Sequence, residues 1–321
     1  MTTTPPTMRH LDLFTGIGGF TLAAHAAGMV TVAHSEIDLH ASRCLERNFP
    51  VVPNLGDITT TEGYNLNVNI ITAGSPCQDF SVAGNRSGAA GARSGLISHA
   101  FRLAHETQAE WLVLENVPGL LSSNGGRDMG AVLRAMADLG MGYAWRVLDA
   151  QAFGVPQRRR RVFIVGRVGG SFYGPSEVLH VGQGLSRDTP AFQDSQQHPA
   201  SSGQGSPGED CYSIHTQQTP ITALEYTHCM STNRTIGVVQ GDTTRHATPT
   251  ECERLQGYPD GWTLGSSDTQ RYKQLGNSVA VPVVSWVMSR IAEVQSTLLR
   301  DPKWDESDAV MMNRIFKESN A

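Results

Sequence analysis

The chain has 321 residues, enough for one large domain or two smaller ones around a substantial buried core. Hydrophobic residues make up 39% and charged residues 17%, which excludes a disordered or fibrous chain. No apolar run reaches the length of a membrane span, and the first twenty residues lack a basic-then-apolar leader pattern, so the expected setting is the cytoplasm, away from membranes.

A net charge of −5 does not mark a nucleic-acid binder, although phosphate contacts depend on local patches rather than on the total. Cys44, Cys77, Cys211, Cys229 and Cys252 form no C-x-x-C pair, which speaks against a metal site and against a disulfide framework.

In chain order, residues 10–14 read as a short buried strand. Thr15-Gly16-Ile17-Gly18-Gly19 follows as a tight turn, then a helix over 20–27 stopped at Gly28. The pattern continues with a strand over 30–37, a helix over 38–48, a strand over 68–73 and a helix over 94–108. A strand over 111–115 and a helix over 129–139 complete the series. Strands alternating with helices predict an α/β fold, a parallel sheet covered on both faces. Past Tyr143 the rhythm changes: 143–148 and 161–168 read as strands with no long helix between them, hence a hairpin at the sheet edge. Residues 169–246 show little periodicity, and 18 of the 28 residues from 182 to 209 are Gly, Ser, Gln or Pro, the composition of a loop. Order returns with 250–256 and a closing helix over 279–299.

Several residues are placed for chemistry. The glycine turn opens a helix, where backbone approaches a ligand closely, but its spacing departs from G-x-G-x-x-G because position 21 is Thr. Glu36, 17 residues past Gly19, stands where a ribose would be gripped; a solvated strand-end carboxylate is the other reading, as a turn aspartate is for Asp57. Gly74-Ser75-Pro76-Cys77-Gln78-Asp79-Phe80-Ser81 follows a strand and puts Cys77 in a loop at the sheet's carboxyl edge, with Pro76 stiffening its approach. A cysteine of this kind is more commonly an inert buried residue than a nucleophile; loop position and polar neighbours pull the other way without reversing it. Glu115 ends a strand and suits a general acid. In the run Arg158-Arg159-Arg160-Arg161, strand alternation turns Arg159 and Arg161 to one face, where paired guanidiniums fit carbonyl oxygens or phosphate. Alone, the run reads equally well as a solvated turn.

These pieces, in this order, resemble the DNA (cytosine-5-)-methyltransferase family. The resemblance rests on Asp12-Leu13-Phe14-Thr15-Gly16-Ile17-Gly18-Gly19-Phe20, on the Pro76-Cys77-Gln78 core and on Glu115-Asn116-Val117. It extends to Val155-Pro156-Gln157 with Arg159 and Arg161, to Glu251-Cys252 with Arg254-Leu255-Gln256-Gly257-Tyr258-Pro259, and to Gln274-Leu275-Gly276-Asn277-Ser278-Val279. It implies a Rossmann-like mixed sheet with helices on both faces over 1–168 and 272–321, and a smaller irregular or β target-recognition domain over 169–271.

The resemblance also implies chemistry. Cys77 attacks C6 of a cytosine flipped out of double-stranded DNA, Glu115 protonates N3, Arg161 contacts the C2 carbonyl, and Gln157 and Arg159 support the Pro-Cys loop and the flipped nucleotide. S-adenosyl-L-methionine is the implied cofactor. Phe14 and Asp57 are expected at its adenine and Glu36 on its ribose. Gly16, Ile17, Gly18, Gly19, Pro76, Asn277, Ser278 and Val279 are expected along its methionine part. Two departures stand out: Ile37 replaces an aromatic that stacks on adenine in many members, and Thr250 replaces an Arg often found before Glu251, which puts one ion pair of the small domain in doubt. The reading expects a monomer, alone or beside a cognate restriction endonuclease. A tRNA-directed relative and a non-catalytic one are the alternatives; the first carries a Cys-Phe-Thr signature that residues 169–246 lack, and the second is expected to lose Cys77, Glu115 or Arg161.

Overall fold

The computed structural model describes residues 7–75, 95–169, 171–181, 211–215, 222–223, 230, 236–240 and 243–300. Its first half follows the expected alternation: β1 (Arg9–Leu13), α1 (Gly19–Ala26), β2 (Val30–Ser35), α2 (Leu39–Asn48), β3 (Ile70–Gly74), α3 (Ile97–Thr107), β4 (Trp111–Asn116) and α4 (Arg127–Asp138). Local chemistry sets the boundaries. The Asp38 carboxylate caps α2 by accepting from the His40 and Ala41 amides, and Gly18, at φ 87, makes the left-handed entry into α1.

β5 (Met141–Asp149) and β6 (Arg160–Val168) form the expected hairpin, followed by α5 (Tyr173–Val178). The sheet order is β2-β1-β3-β4-β6-β5. β1 to β4 are mutually parallel, whereas β6 runs antiparallel to both β4 and β5. The parallel sheet expected from alternation is therefore mixed, because β6 turns back between β4 and the edge strand β5.

Alternate strand residues feed two cores. Ile70, Trp111, Val113, Phe163 and Val165 pack under α1 and the closing helix. Ile71, Leu112, Leu114 and Ile164 pack under α3 and α4. Both faces are covered, which is why β4 is buried along its whole length.

The region from 169 to 246 is more regular than its sequence suggests. β7 (Cys211–His215), β8 (Thr222–Ala223), β9 (Ile236–Gln240) and β10 (Thr243–His246) form a second, antiparallel sheet ordered β10-β9-β7-β8. Its strands have two to five residues, too short for a period-2 pattern to register. The Gly/Ser/Gln-rich piece lies outside the described residues. α6 (Pro249–Gln256) then opens with a capping box between Thr248 and Glu251. The ion pair doubted because of Thr250 is replaced by another: Arg245 of β10 holds Glu251 at 2.7 Å.

α7 (Asp268–Asn277) has no counterpart in the sequence reading; its buried residues are Arg271, Tyr272, Gln274 and Leu275, too polar to read as an apolar stripe. α8 (Val281–Arg300) closes the chain against α1. The segment between α6 and α7 returns to the first glycine turn, where Trp262 Nε1 donates to the Ile17 carbonyl at 2.9 Å. A Cβ added at Gly19 would stand 2.5 Å from Val279 Cγ2 and 2.6 Å from Tyr258 Oη. Gly19→Ala is therefore expected to cost about 1–3 kcal/mol of stability through overpacking, read as a lower urea midpoint with unchanged slope. An unaltered midpoint means that Val279 and Tyr258 do not press on the turn as described.

Candidate active site

Several chain segments meet at the carboxyl edge of β1 to β4 around one cleft of about 530 Å³, a size typical of small-molecule sites. Phe14, Gly16 and Ile17 follow β1, Glu36 to Asp38 follow β2, Gly74 and Ser75 end β3, and Glu115 to Val117 end β4. Because β6 runs the other way, its start lies at the same edge, and Arg159 and Arg161 complete that side. α7 supplies Gln270, Lys273, Gln274, Gly276 and Asn277 from the far end of the chain.

At one end of the cleft Glu115 is 8% exposed. Burial raises its carboxyl pKa, countered by Arg161 and then by Arg159. Arg161 Nε lies 3.1 Å from Glu115 Oε1. Arg159 is 3% exposed and donates to the carbonyls of Gly276 and Ser278. It braces the turn that presents Asn277 and acts on Glu115 through its charge. The expected alternation holds: Arg158 and Arg160 are exposed, on the other side from Arg159 and Arg161.

At the opposite end, Glu36 is held in place. Its Oε2 accepts from the Gly16 amide and its Oε1 from the Asp38 amide, both at 2.7 Å. Burial raises its pKa, with these two amides pulling back. Phe14 has φ 53 and Gly16 φ 56; a left-handed Phe is uncommon and is held here by the turn around it. A Cβ on Gly16 would meet nothing within 4 Å, so the backbone there borders open space. Asp57 lines the same end, and Ile37 is 74% exposed beside it.

The expected residues thus divide. Phe14, Gly16, Ile17, Glu36, Asp57, Glu115, Arg159, Arg161 and Asn277 line the cleft. Gly18, Gly19, Ser278 and Val279 lie behind it: the Ser278 hydroxyl bonds the Tyr258 hydroxyl, and Gly18 abuts Phe49. Gln157 does not line the cleft; fully buried, it donates to the Leu255 carbonyl at 2.8 Å and accepts from the Met230 amide at 3.2 Å, tying β6 to α6. Pro76 and Cys77 lie outside the described residues. Sequence reasoning missed Asn116, whose amide donates to the Ser75 carbonyl at 3.2 Å and anchors the start of the Pro-Cys segment. It also missed Lys273, paired with Asp38 at 3.1 Å. Asn116 stood inside a quoted motif, whereas Lys273 carried no local signal.

Beneath the glycine turn runs a buried polar chain. Asp12 accepts from the Thr21 amide at 3.1 Å, the Thr21 hydroxyl at 2.7 Å and the Thr72 hydroxyl at 3.0 Å. His34 and His10 extend the chain through Thr21 and Thr72. Burial lifts the Asp12 pKa to about 7, against these hydrogen bonds. The unfolded chain releases that proton near pH 4. The folded state therefore binds more protons between about pH 4 and about pH 7, and the contribution of Asp12 to stability falls as pH rises through that window. His10 and His34, pushed by burial down to about 3 and about 4, act oppositely: their contribution is lost as pH falls below their ordinary value of 6.5. Asp12→Asn isolates the carboxyl. The unfolding free energy of the native protein minus that of the variant should decline from about pH 4 to about pH 7; a flat difference in urea titrations contradicts the buried proton.

The family described as C-5 cytosine-specific DNA methylase matches residues 8–172 and 180–293. Among curated relatives, the type II methyltransferase M.MspI of Moraxella sp is 32% identical over 302 residues, covering 90% of this chain and 72% of that protein. M.HhaI of Haemophilus parahaemolyticus is 30% identical over 311 residues, covering 88% and 94%. The crystal structure of the S. pombe Dnmt2 methyltransferase superposes with a TM-score of 0.64 at 19% identity, covering 89% of this chain and 98% of that one, which shows a shared fold.

Proposed function

The chain belongs to the C-5 cytosine-specific DNA methylases, and from that membership we propose that Cys77 is its nucleophile and Glu115 its general acid. The carrying observation is the buried Glu115 carboxyl beside Arg161, at the edge where Ser75 leads into the Pro-Cys segment. Cytosine C5 is a weak nucleophile until electrons are pushed into the ring. The Cys77 thiolate bonds to C6, the C5–C6 electron pair delocalises through C4 onto N3, and Glu115 delivers its proton there. Arg161 holds the C2 carbonyl. Once C5 carries the methyl group, loss of the C5 proton and departure of the Cys77 thiolate rebuild the C5–C6 double bond, and N3 returns its proton to Glu115. Because C5 and C6 are inaccessible in a stacked duplex, the base is flipped out of double-stranded DNA.

The family is S-adenosylmethionine-dependent, and the cleft fits that cofactor: the open space at Gly16 admits a ligand against the backbone, and Glu36 stands ready with both oxygens oriented. When bound it supplies an electrophilic methyl on a sulfonium. Phe14, Ile37 and Asp57 would border its adenosine, and Gly16, Ile17 and Asn277 its methionine part. Gly18, Gly19, Ser278 and Val279 support that wall from behind, and from the family resemblance we assign Pro76 to the same group of cofactor residues. Arg159 braces the 276–278 turn, and Gln157 ties β6 to the region that reads DNA. We assign catalysis to 1–168 and 272–321 and sequence reading to 169–271, a monomer acting in the cytoplasm. The type II names of the relatives favour a restriction-modification system with a cognate restriction endonuclease. Among the described residues, no helix is long and apolar enough to cross a membrane.

Duplexes carrying 5-fluorocytosine at the methylated position should trap a cofactor-dependent covalent adduct on denaturing gels, absent in Cys77→Ala. Glu115→Gln should lower kcat by roughly a hundredfold or more. Methylation that survives Cys77→Ala, mapped by bisulfite sequencing, sinks the assignment.

A further inference from the structure

Glu36 and Asp57 reach the same end of the cleft from different segments, and something must set their spacing. Residues 53–55 run beside the end of β2: the His34 amide donates to the Pro53 carbonyl and the Leu55 amide to the His34 carbonyl, both at 2.8 Å, as one parallel bridge. The backbone ladder stops there. The Asn54 side chain continues it. Its Oδ1 accepts from the Glu36 amide at 3.0 Å, and its Nδ2 donates to the Glu36 carbonyl at 3.0 Å. The carboxamide therefore pairs with both backbone groups of Glu36, as the next peptide of a strand would. Its second lone pair accepts from the Gly56 amide at 3.1 Å, and its second proton goes to the Ser42 hydroxyl at 3.0 Å. All four hydrogen-bonding positions of the amide are used. Its orientation is unambiguous, because the Glu36 N–H only donates and the Glu36 carbonyl only accepts. Ser35 adds a hydroxyl bond to the Gly56 carbonyl at 2.9 Å.

We propose that Asn54 is a positioning residue for cofactor binding, fixing Glu36 relative to Asp57 without touching the ligand. Nothing else in the chain bonds simultaneously to Glu36 and to the residue preceding Asp57 among the described contacts. Asn54 is itself exposed, so its bonds compete with water; ordering two acidic residues, rather than holding the fold, is the work they are suited to. The inference rests on the reading of Glu36 as a cofactor ligand.

The test is calorimetric titration of the full-length protein, without DNA, with S-adenosylhomocysteine up to millimolar concentration. Asn54→Ala should weaken binding about tenfold, the loss of one to two net hydrogen bonds, with the thermal midpoint within a few degrees of native. In a Glu36→Ala background the same change should cost less than about threefold, because the group it positions is gone. Asn54→Asp keeps the two acceptor bonds and loses both donated ones, to the Glu36 carbonyl and to the Ser42 hydroxyl; it should fall between, and it carries the test if Asn54→Ala folds poorly. Native-like affinity in either variant, or an equal loss in both backgrounds, overturns the proposal. If Glu36→Ala alone binds like the native protein, the cofactor reading itself fails, an outcome visible before Asn54 is touched.

Discussion

A strand that runs against its neighbours begins where they end, and the site depends on that reversal. β1 to β4 deliver only carboxyl-terminal ends to the upper edge of the sheet, with the turns and acids that follow them. β6, antiparallel between β4 and β5, brings its first residues to the same edge. Arg161 thereby meets Glu115 at 3.1 Å, and Arg159 sits behind it. Burial disfavours an ionised Glu115, and the two guanidiniums favour it. A carboxyl balanced between these pulls is suited to giving up a proton and taking it back. A fifth parallel strand would have left Glu115 buried without that counterweight, at a cost large for any protein.

The glycine turn is fixed by residues from the last quarter of the chain, themselves braced by Arg159. Trp262 bonds the Ile17 carbonyl, Val279 and Tyr258 fill the space left by the missing side chain of Gly19, and Arg159 holds the carbonyls of Gly276 and Ser278. From below, Asp12 ties the first turn of α1 to Thr72 of β3. The left-handed Phe14 is sustained by this frame. Arg159 thus holds the 276–278 turn by hydrogen bonds and acts on Glu115 by charge, so one buried cation serves both parts of the cleft.

Much of this was legible in the sequence because it lives in local pattern. The alternation of β1 to α4 gave each element to within a few residues, and the period of two in the arginine run correctly turned Arg159 and Arg161 together. Glu36 and Glu115 stood at strand ends, where a carboxyl edge collects them, and Asp57 followed a glycine turn. Other features depend on partners distant in the chain. α7 hides because Arg271 is buried on Glu253 at 3.1 Å, so a charged residue occupies a core position. Gln157 read as a support of the site, but its partners are Leu255 and Met230, which no local spacing reveals. Asn54 carried no signal at all: an exposed Asn between Pro and Leu reads as a turn, and its four bonds exist only because residues 53–55 lie along β2.

Every described residue lining the cleft comes from 14–161 or from 270–277. The second sheet, β7 to β10, contributes none of them. Its connection to the site runs through Gln157 and through a small core in which Met230 and Ile236 pack with Cys252, Leu255 and Tyr272. The residues that touch the cleft are thus separate from the second sheet, and the two connect by packing and through the Gln157 hydrogen bonds. Such an arrangement lets the second sheet vary in sequence while Glu115, Arg161 and Glu36 keep their geometry, provided the contacts at Gln157 and α6 are kept. The capping box of α6 and the Arg245–Glu251 pair stand at that junction. They fix how β10 enters α6, and with it how the second sheet joins the frame that holds the cleft.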